Sequence, residues 1–131
     1  MKPKILIMDD EDDIREVIAK LLNYLGYKAV QTKDSYEAIY EYTKAIEIKE
    51  PYDVVVLDLT MAYGLNGIDT LKRLREMNPN IKGIICTGYS NVSDIEEKLK
   101  EAQIDHIIHK PFKINELEIV LSKVLGDKFE S

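Results

Sequence analysis

Apolar residues follow two different spacings along the chain. Five short apolar runs have the length of buried strands, and the second is the weakest: Lys4–Met8, Lys28–Thr32, Val54–Leu57, Gly83–Cys86 and His106–Ile108. Between these runs, apolar residues recur at helical spacing and predict five amphipathic helices. Unbroken Val, Ile and Leu strands that alternate with helices indicate an α/β fold. We therefore expect a (βα)5 chain with a doubly wound parallel sheet, covered on both faces.

Local signals predict where the helices begin and end. Gly26 is placed to end the first helix, and Ser35 is placed to cap the second. The third helix is expected to stop near Asn78, because the residue before Pro79 avoids the helical conformation. The fourth helix is polar and is expected from about Ser93 to Ala102. The apolar positions of helices two to five are Ala38, Ile39, Tyr42, Ile46, Ile68, Leu71, Leu74, Ile95, Leu99, Leu117, Val120, Leu121 and Val124.

Composition narrows the class of protein. The chain has 131 residues, of which 45% are hydrophobic and 32% charged, which is typical of one globular domain. We expect residues 1–131 to form that single domain with no output domain, as a stand-alone protein or a piece of a longer one. The net charge of −6, without a Lys/Arg cluster, argues against nucleic acid or an anionic membrane as the main partner.

The termini and the single cysteine indicate the compartment. No apolar run is long enough to span a bilayer, and the N-terminus becomes acidic too early for a signal peptide. Cys86 is the one cysteine, so no internal disulfide can form, which fits a reducing compartment. We therefore expect a cytoplasmic protein.

Polar side chains follow four of the predicted strands at the point where each strand ends. Asp9 and Asp10 follow the first, Asp58 follows the third, Thr87 the fourth, and Lys110 comes just after the fifth. Ligands of open α/β sheets bind beyond the carboxyl ends of the strands, so we expect these groups to meet. Carboxylates about 4 Å apart repel by about 4 kcal/mol at an effective dielectric constant near 20, so the cluster requires a cation. Oxygen ligands favour Mg²⁺.

Each of these residues also has an ordinary structural interpretation. Acids before a helix often complement its dipole, the interpretation we prefer for Asp12 and Asp13. An aspartate after a buried strand, such as Asp58, is often a turn former. The common position of all these groups at one sheet edge is what favours a functional site.

The motifs ILIMDDE, VVVLDLT, IICTGYS and HKPF together resemble the receiver domains of two-component response regulators. The resemblance covers nearly the whole chain and implies a flavodoxin-like sheet with strand order 2-1-3-4-5. It implies Asp58 as the phosphoacceptor and Mg²⁺ as the cofactor, bound by Asp9, Asp10, Asp58 and the backbone carbonyl of Thr60. Thr87 would be the switch hydroxyl, and Lys110 would be the lysine that receivers typically carry at this position. The peptide bond between Lys110 and Pro111 would be cis.

The resemblance also implies partners. The phosphodonor would be a phosphohistidine on a sensor histidine kinase or a phosphotransfer protein. An unknown downstream protein would bind the face formed by the fourth helix, fifth strand and fifth helix. The domain would phosphorylate and dephosphorylate only itself, and so would not be an enzyme acting on external substrates.

The sequence departs from the family pattern in two places. Ile107 occupies the position where many receivers carry Tyr or Phe as a rotamer switch. Ala62 replaces a common proline, in a loop that is one residue longer before Gly67. The resemblance also places Tyr89, two residues beyond Thr87, where family members tune hydrolysis of the phosphoryl group, and a side chain of this size would restrict an attacking water.

Three other functions compete with the receiver interpretation. A phosphatase with an aspartate nucleophile requires a second acid two residues later, where this chain has Thr60. A pseudo-receiver would not need the full set of site residues present here. A dinucleotide-binding module would carry G-x-G-x-x-G after the first strand, and this chain does not.

Overall fold

The computed structural model describes residues 2–62, 64–88 and 96–126. Strands and helices alternate through these residues, as the apolar pattern predicts. The strands are β1 (Lys4–Met8), β2 (Lys28–Thr32), β3 (Val54–Asp58), β4 (Lys82–Thr87) and β5 (His106–His109). The helices are α1 (Asp12–Tyr24), α2 (Ser35–Glu47), α3 (Gly67–Met77), α4 (Glu96–Glu101) and α5 (Ile114–Leu125).

The five strands form one parallel sheet in the order β2-β1-β3-β4-β5. This arrangement confirms the predicted doubly wound (βα)5 fold. The chain order reverses between β1 and β3, which are neighbours at the centre of the sheet. Met8 at the end of β1 lies beside Leu57 of β3, so the residues that follow them leave the sheet side by side.

The core has two layers because successive side chains of a strand point to opposite faces of the sheet. On one face Leu6, Val55 and Leu57 pack with residues of α2, α3 and α4. On the other face Ile7 and Val56 pack with residues of α1 and α5. All of β3 is buried, which explains why its sequence is uniformly apolar until Asp58.

Several predicted helix ends are confirmed. Gly26 has a positive φ of 96° just beyond α1, and α3 ends at Met77 with Asn78 as its C-cap. The predicted cap of α2 is wrong by one residue. Asp34 is the N-cap and its side chain accepts a hydrogen bond from Glu37 N, whereas Ser35 is the first helical residue. Both residue types favour the N-cap position, so the sequence alone did not discriminate between them.

One other detail differs from the predicted apolar pattern. Ile46 is 37% exposed, and Ala45 is the buried residue in that turn of α2. In α4, Leu99 faces the core as predicted, while Ser93 and Ile95 lie outside the described residues. Within the described ranges, no helix combines the length and apolar character needed to cross a membrane.

Candidate functional site

Two aspartates lie together where β1 and β3 end. Because Met8 and Leu57 are partners across the sheet, Asp9 and Asp58 emerge next to each other. Both are buried, with exposed fractions of 1% for Asp9 and 6% for Asp58. A buried carboxylate requires a compensating partner. That partner comes from the end of β5.

Lys110 joins the two aspartates. Its Nζ atom lies 2.7 Å from Asp9 Oδ2 and 3.4 Å from Asp58 Oδ2. Its backbone amide donates to the carbonyl of Thr87, 2.8 Å away, which fixes the start of the β5–α5 connection against β4. The Lys110–Pro111 peptide is cis, as the resemblance implied.

Burial and the neighbouring charges together shift the pKa values of Asp58 and Lys110. Burial raises the pKa of Asp58 to about 6, opposed by the Lys110 charge and reinforced by Asp9. Burial by itself would lower the pKa of Lys110, but its hydrogen bond to Asp9 and the charge of Asp58 raise it overall. At neutral pH the site therefore contains an ionised Asp58 beside a protonated Lys110.

Asp10 is held by the loop that follows β3. The amide of Ala62 donates to Asp10 Oδ2 at 2.9 Å. Farther along this loop, Leu65 N donates to Ser35 Oγ at 2.9 Å, and Gly64 has a φ of 76°. The lengthened loop is thus tied to the segment that follows β1 and to the start of α2. No sequence signal indicated these amide contacts.

Four carboxylates converge at this edge. One ligand oxygen each from Asp9, Asp10, Glu11 and Asp58 lies within 4.8 Å of the others. These four groups could hold a metal ion, and hard carboxylate oxygens are a ligand type that suits Mg²⁺, which takes a few protein oxygens and keeps several waters. The predicted acids Asp9, Asp10 and Asp58 therefore meet. Glu11 was missed, although its position directly after the acidic pair was a usable signal.

An open cavity of about 550 Å³ gives solvent access to this cluster. Its walls are formed by Asp10, Glu11, Asp58, Thr60, Met61, Ala62, Gly88 and Lys110. Thr60 belongs to the wall, and its amide donates to Asp58 Oδ1 at 3.4 Å. Thr87 is buried at the end of β4, next to Gly88 of the wall. The structure thus brings all six predicted site residues to one edge of the sheet.

Arg15 of α1 is a second group that the sequence did not indicate. Its guanidinium donates to the carbonyl of Asp9 at 2.9 Å and to Asp12 Oδ1 at 2.7 Å. It therefore links the end of β1 to the first turn of α1. Ile107, which departs from the family pattern, is partly buried against the core, and Tyr89 lies outside the described residues.

Fold and site together define a class of protein. The fold is an open, doubly wound α/β sheet. An acidic pocket that could hold a metal ion, with one lysine beside it, lies beyond the carboxyl ends of the central strands.

Comparison with known proteins specifies the family. The family model described as "Response regulator receiver domain" matches residues 5–122. The chain is 34% identical over 125 residues to sporulation initiation phosphotransferase F of Bacillus subtilis, covering 95% of each. It is 31% identical over 122 residues to transcriptional regulatory protein ZraR of Klebsiella oxytoca. That alignment covers 93% of this chain but 26% of the longer protein.

A solved structure agrees with these relatives. The crystal structure of a response regulator receiver domain protein from Clostridium thermocellum superposes with a TM-score of 0.82 at 28% identity, covering 94% of both chains. The chain belongs to the response regulator receiver domain family and is a receiver domain of a two-component system.

Proposed function

We propose that this receiver domain accepts a phosphoryl group on Asp58 in a Mg²⁺-dependent reaction. The observation that carries the proposal is the placement of Asp58 in an open acidic cavity, 3.4 Å from the ammonium group of Lys110. A phosphohistidine of a sensor histidine kinase or a phosphotransfer protein is the proposed donor, in keeping with the family.

In the proposed step, an oxygen of Asp58 attacks phosphorus and forms an acyl phosphate. The P–N bond of the phosphohistidine breaks, and its electron pair leaves with the imidazole. Lys110 is near enough to neutralise a phosphoryl oxygen, and Thr87 would donate to another. Phosphoryl transfer depends mainly on such positioning and charge neutralisation.

The proposed Mg²⁺ ligands are Asp10, Asp58 and the Thr60 carbonyl, with Asp9 supporting them. When bound, the ion would neutralise charge on the phosphoryl oxygens. Asp9 already accepts from Glu11 N at 2.9 Å as well as from Lys110, so it is well placed to orient the cluster.

Phosphorylation is proposed to act on the face formed by α4, β5 and α5. The backbone bond from Lys110 N to Thr87 O joins the ends of β4 and β5, so a pull on either residue reaches this face. A new charge with three acceptor oxygens can bias two arrangements of such a face. A downstream protein that binds this face would receive the signal through this movement. No aromatic rotamer switch is needed, since the chain has Ile107 at that position.

We further propose that the domain acts in the cytoplasm and turns over no external substrate. Thr60 stands where an aspartate-nucleophile phosphatase needs its second acid, which favours a signalling domain over that enzyme. Rapid hydrolysis of a generic phosphomonoester would instead favour the phosphatase.

The test is intact-mass measurement after incubation with Mg²⁺ and acetyl phosphate. The wild type should gain one phosphoryl group, and Asp58→Asn should remain unmodified because it lacks the nucleophile. Omission of Mg²⁺ should reduce labelling of the wild type. Circular dichroism verifies that the variant is folded, and equal labelling of both proteins would place the acceptor elsewhere.

A further inference from the structure

Glu11 occupies the N-cap position of α1 without capping the helix. N-cap side chains ordinarily accept a hydrogen bond from an amide of the first turn. The Glu11 side chain makes no such bond, while its own amide donates to Asp9 Oδ1 at 2.9 Å. The backbone of Glu11 therefore orients Asp9, and its carboxylate is not used to begin the helix.

The Glu11 carboxylate belongs to the acidic cluster instead. Its ligand oxygen lies within 4.8 Å of those of Asp9, Asp10 and Asp58. Glu11 also lines the open cavity, so a hydrated ion that enters from solvent meets it. The neighbouring Asp12 differs, because its carboxylate is paired with Arg15 at 2.7 Å.

The cluster contains more negative charge than the nearby cation neutralises. Among ion pairs of the described residues, Lys110 pairs with Asp9 and Asp58, and none includes Glu11. Four carboxylates against one ammonium group leave an excess that a divalent ion relieves. The number of charged ligands is one of the properties that tune the affinity of a site for such ions.

We propose that Glu11 is a fourth acidic group of the cation site and raises its affinity for Mg²⁺. The site then loads the ion at a lower concentration than Asp9, Asp10 and Asp58 would achieve alone. This proposal rests on the proposed function, because it concerns the same ion.

The test compares the Mg²⁺ affinity of three proteins by isothermal titration calorimetry at constant ionic strength. Glu11→Gln should bind Mg²⁺ about tenfold more weakly than the wild type, a typical loss for a group that supports a metal site. Glu47→Gln is the matched control, since Glu47 is exposed at the end of α2 and the charge change is identical. Its affinity should equal that of the wild type.

A second measurement connects affinity to phosphorylation. The Mg²⁺ concentration that gives half-maximal labelling of Asp58 should rise by the same factor, about tenfold, in Glu11→Gln and remain unchanged in Glu47→Gln. Both variants alter exposed side chains and should remain folded. Glu11→Gln removes one of the clustered like charges, so without Mg²⁺ it should unfold at or slightly above the temperature of the wild type.

The outcomes separate the two proposals. If the wild type binds Mg²⁺ and Glu11→Gln binds it equally well, the role of Glu11 is overturned while the proposed function survives. Equal weakening in Glu11→Gln and Glu47→Gln would also overturn it, since net charge would then be the cause. A wild type that neither binds Mg²⁺ nor becomes labelled would overturn both.

Discussion

At the scale of single residues, Asp58 is a buried carboxylate whose negative charge lowers the stability of the fold. It is 6% exposed, yet at neutral pH it is ionised beside a second carboxylate, Asp9. Burial raises its pKa from 3.8 to about 6 despite the opposing charge of Lys110. The same burial therefore destabilises the fold while Asp58 is charged.

This destabilisation predicts that Asp58→Asn is more stable than the wild type at pH 7.5 in EDTA. The folded-state pKa lies above the unfolded value, so the stability contributed by protonated Asp58 is present below about pH 4 and is lost as pH rises through about 6. The neutral side chain avoids that loss. The rise in the pKa of Asp58 from 3.8 to about 6 corresponds to a gain of about 3 kcal/mol at most, which solvent screening reduces to about 2 kcal/mol. Lys110 retains Asp9 as its partner.

Urea unfolding at pH 7.5 and at pH 4 measures this difference, with Glu47→Gln as an exposed control. The gain should be large at pH 7.5, small at pH 4, and absent in the control. Equal stabilities of Asp58→Asn and wild type at pH 7.5 would show that burial does not destabilise the charged form.

At the scale of elements, the connection from β3 to α3 positions Asp58, the proposed nucleophile. Gly67 begins α3 so near the end of β3 that an added Cβ would lie 2.6 Å from the Asp58 carbonyl oxygen. The intervening loop is fixed by hydrogen bonds from Ala62 to Asp10 and from Leu65 to Ser35. The site therefore depends on the close approach of helix and strand, and not only on its acidic residues.

Gly67→Ala is accordingly expected to destabilise the protein by about 1–3 kcal/mol, the usual range for overpacking. The sign of this stability change tests for a clash. Alanine has a higher helix propensity than glycine, so without a clash the substitution would stabilise α3. Labelling of Asp58 should also slow, since the backbone that carries the carboxylate must move.

Gly88→Ala is the control for that substitution, because a Cβ at Gly88 meets nothing within 4 Å. Urea unfolding should find it within about 0.5 kcal/mol of the wild type. A Gly67→Ala protein as stable as Gly88→Ala would mean that α3 shifts away from β3 at little cost.

At the scale of the whole molecule, the proposed cation site would couple ion binding to global stability. Its groups come from the ends of β1, β3 and β5 and from the loop after β3, so they meet only in the folded chain. A ligand that binds only the folded state stabilises it in proportion to the logarithm of its concentration.

Mg²⁺ is therefore expected to raise the melting temperature of the wild type by several degrees. At one hundred times the dissociation constant, the stabilisation is about 2.7 kcal/mol. Differential scanning calorimetry across a Mg²⁺ series measures this effect. Asp10→Asn removes a proposed ligand and should show little increase, whereas an equal increase in both proteins would locate the bound ion elsewhere.

The sequence by itself determined the alternation of elements, the parallel sheet and the sheet edge where the chemistry lies. These features follow from local patterns, because the period of the apolar residues and the residue after each strand are properties of contiguous chain. Asp9, Asp10, Asp58, Thr87 and Lys110 could be chosen as site candidates for that reason.

Only the tertiary structure decided which groups touch. The pairing of Lys110 with both Asp9 and Asp58, the Ala62 amide on Asp10 and the approach of Gly67 to Asp58 join residues far apart in the chain or on separate elements. Even the local choice of Asp34 over Ser35 as the α2 cap accompanies a distant contact, because Ser35 Oγ accepts from Leu65. Such contacts depend on packing geometry, which the order of residues in a single segment does not specify.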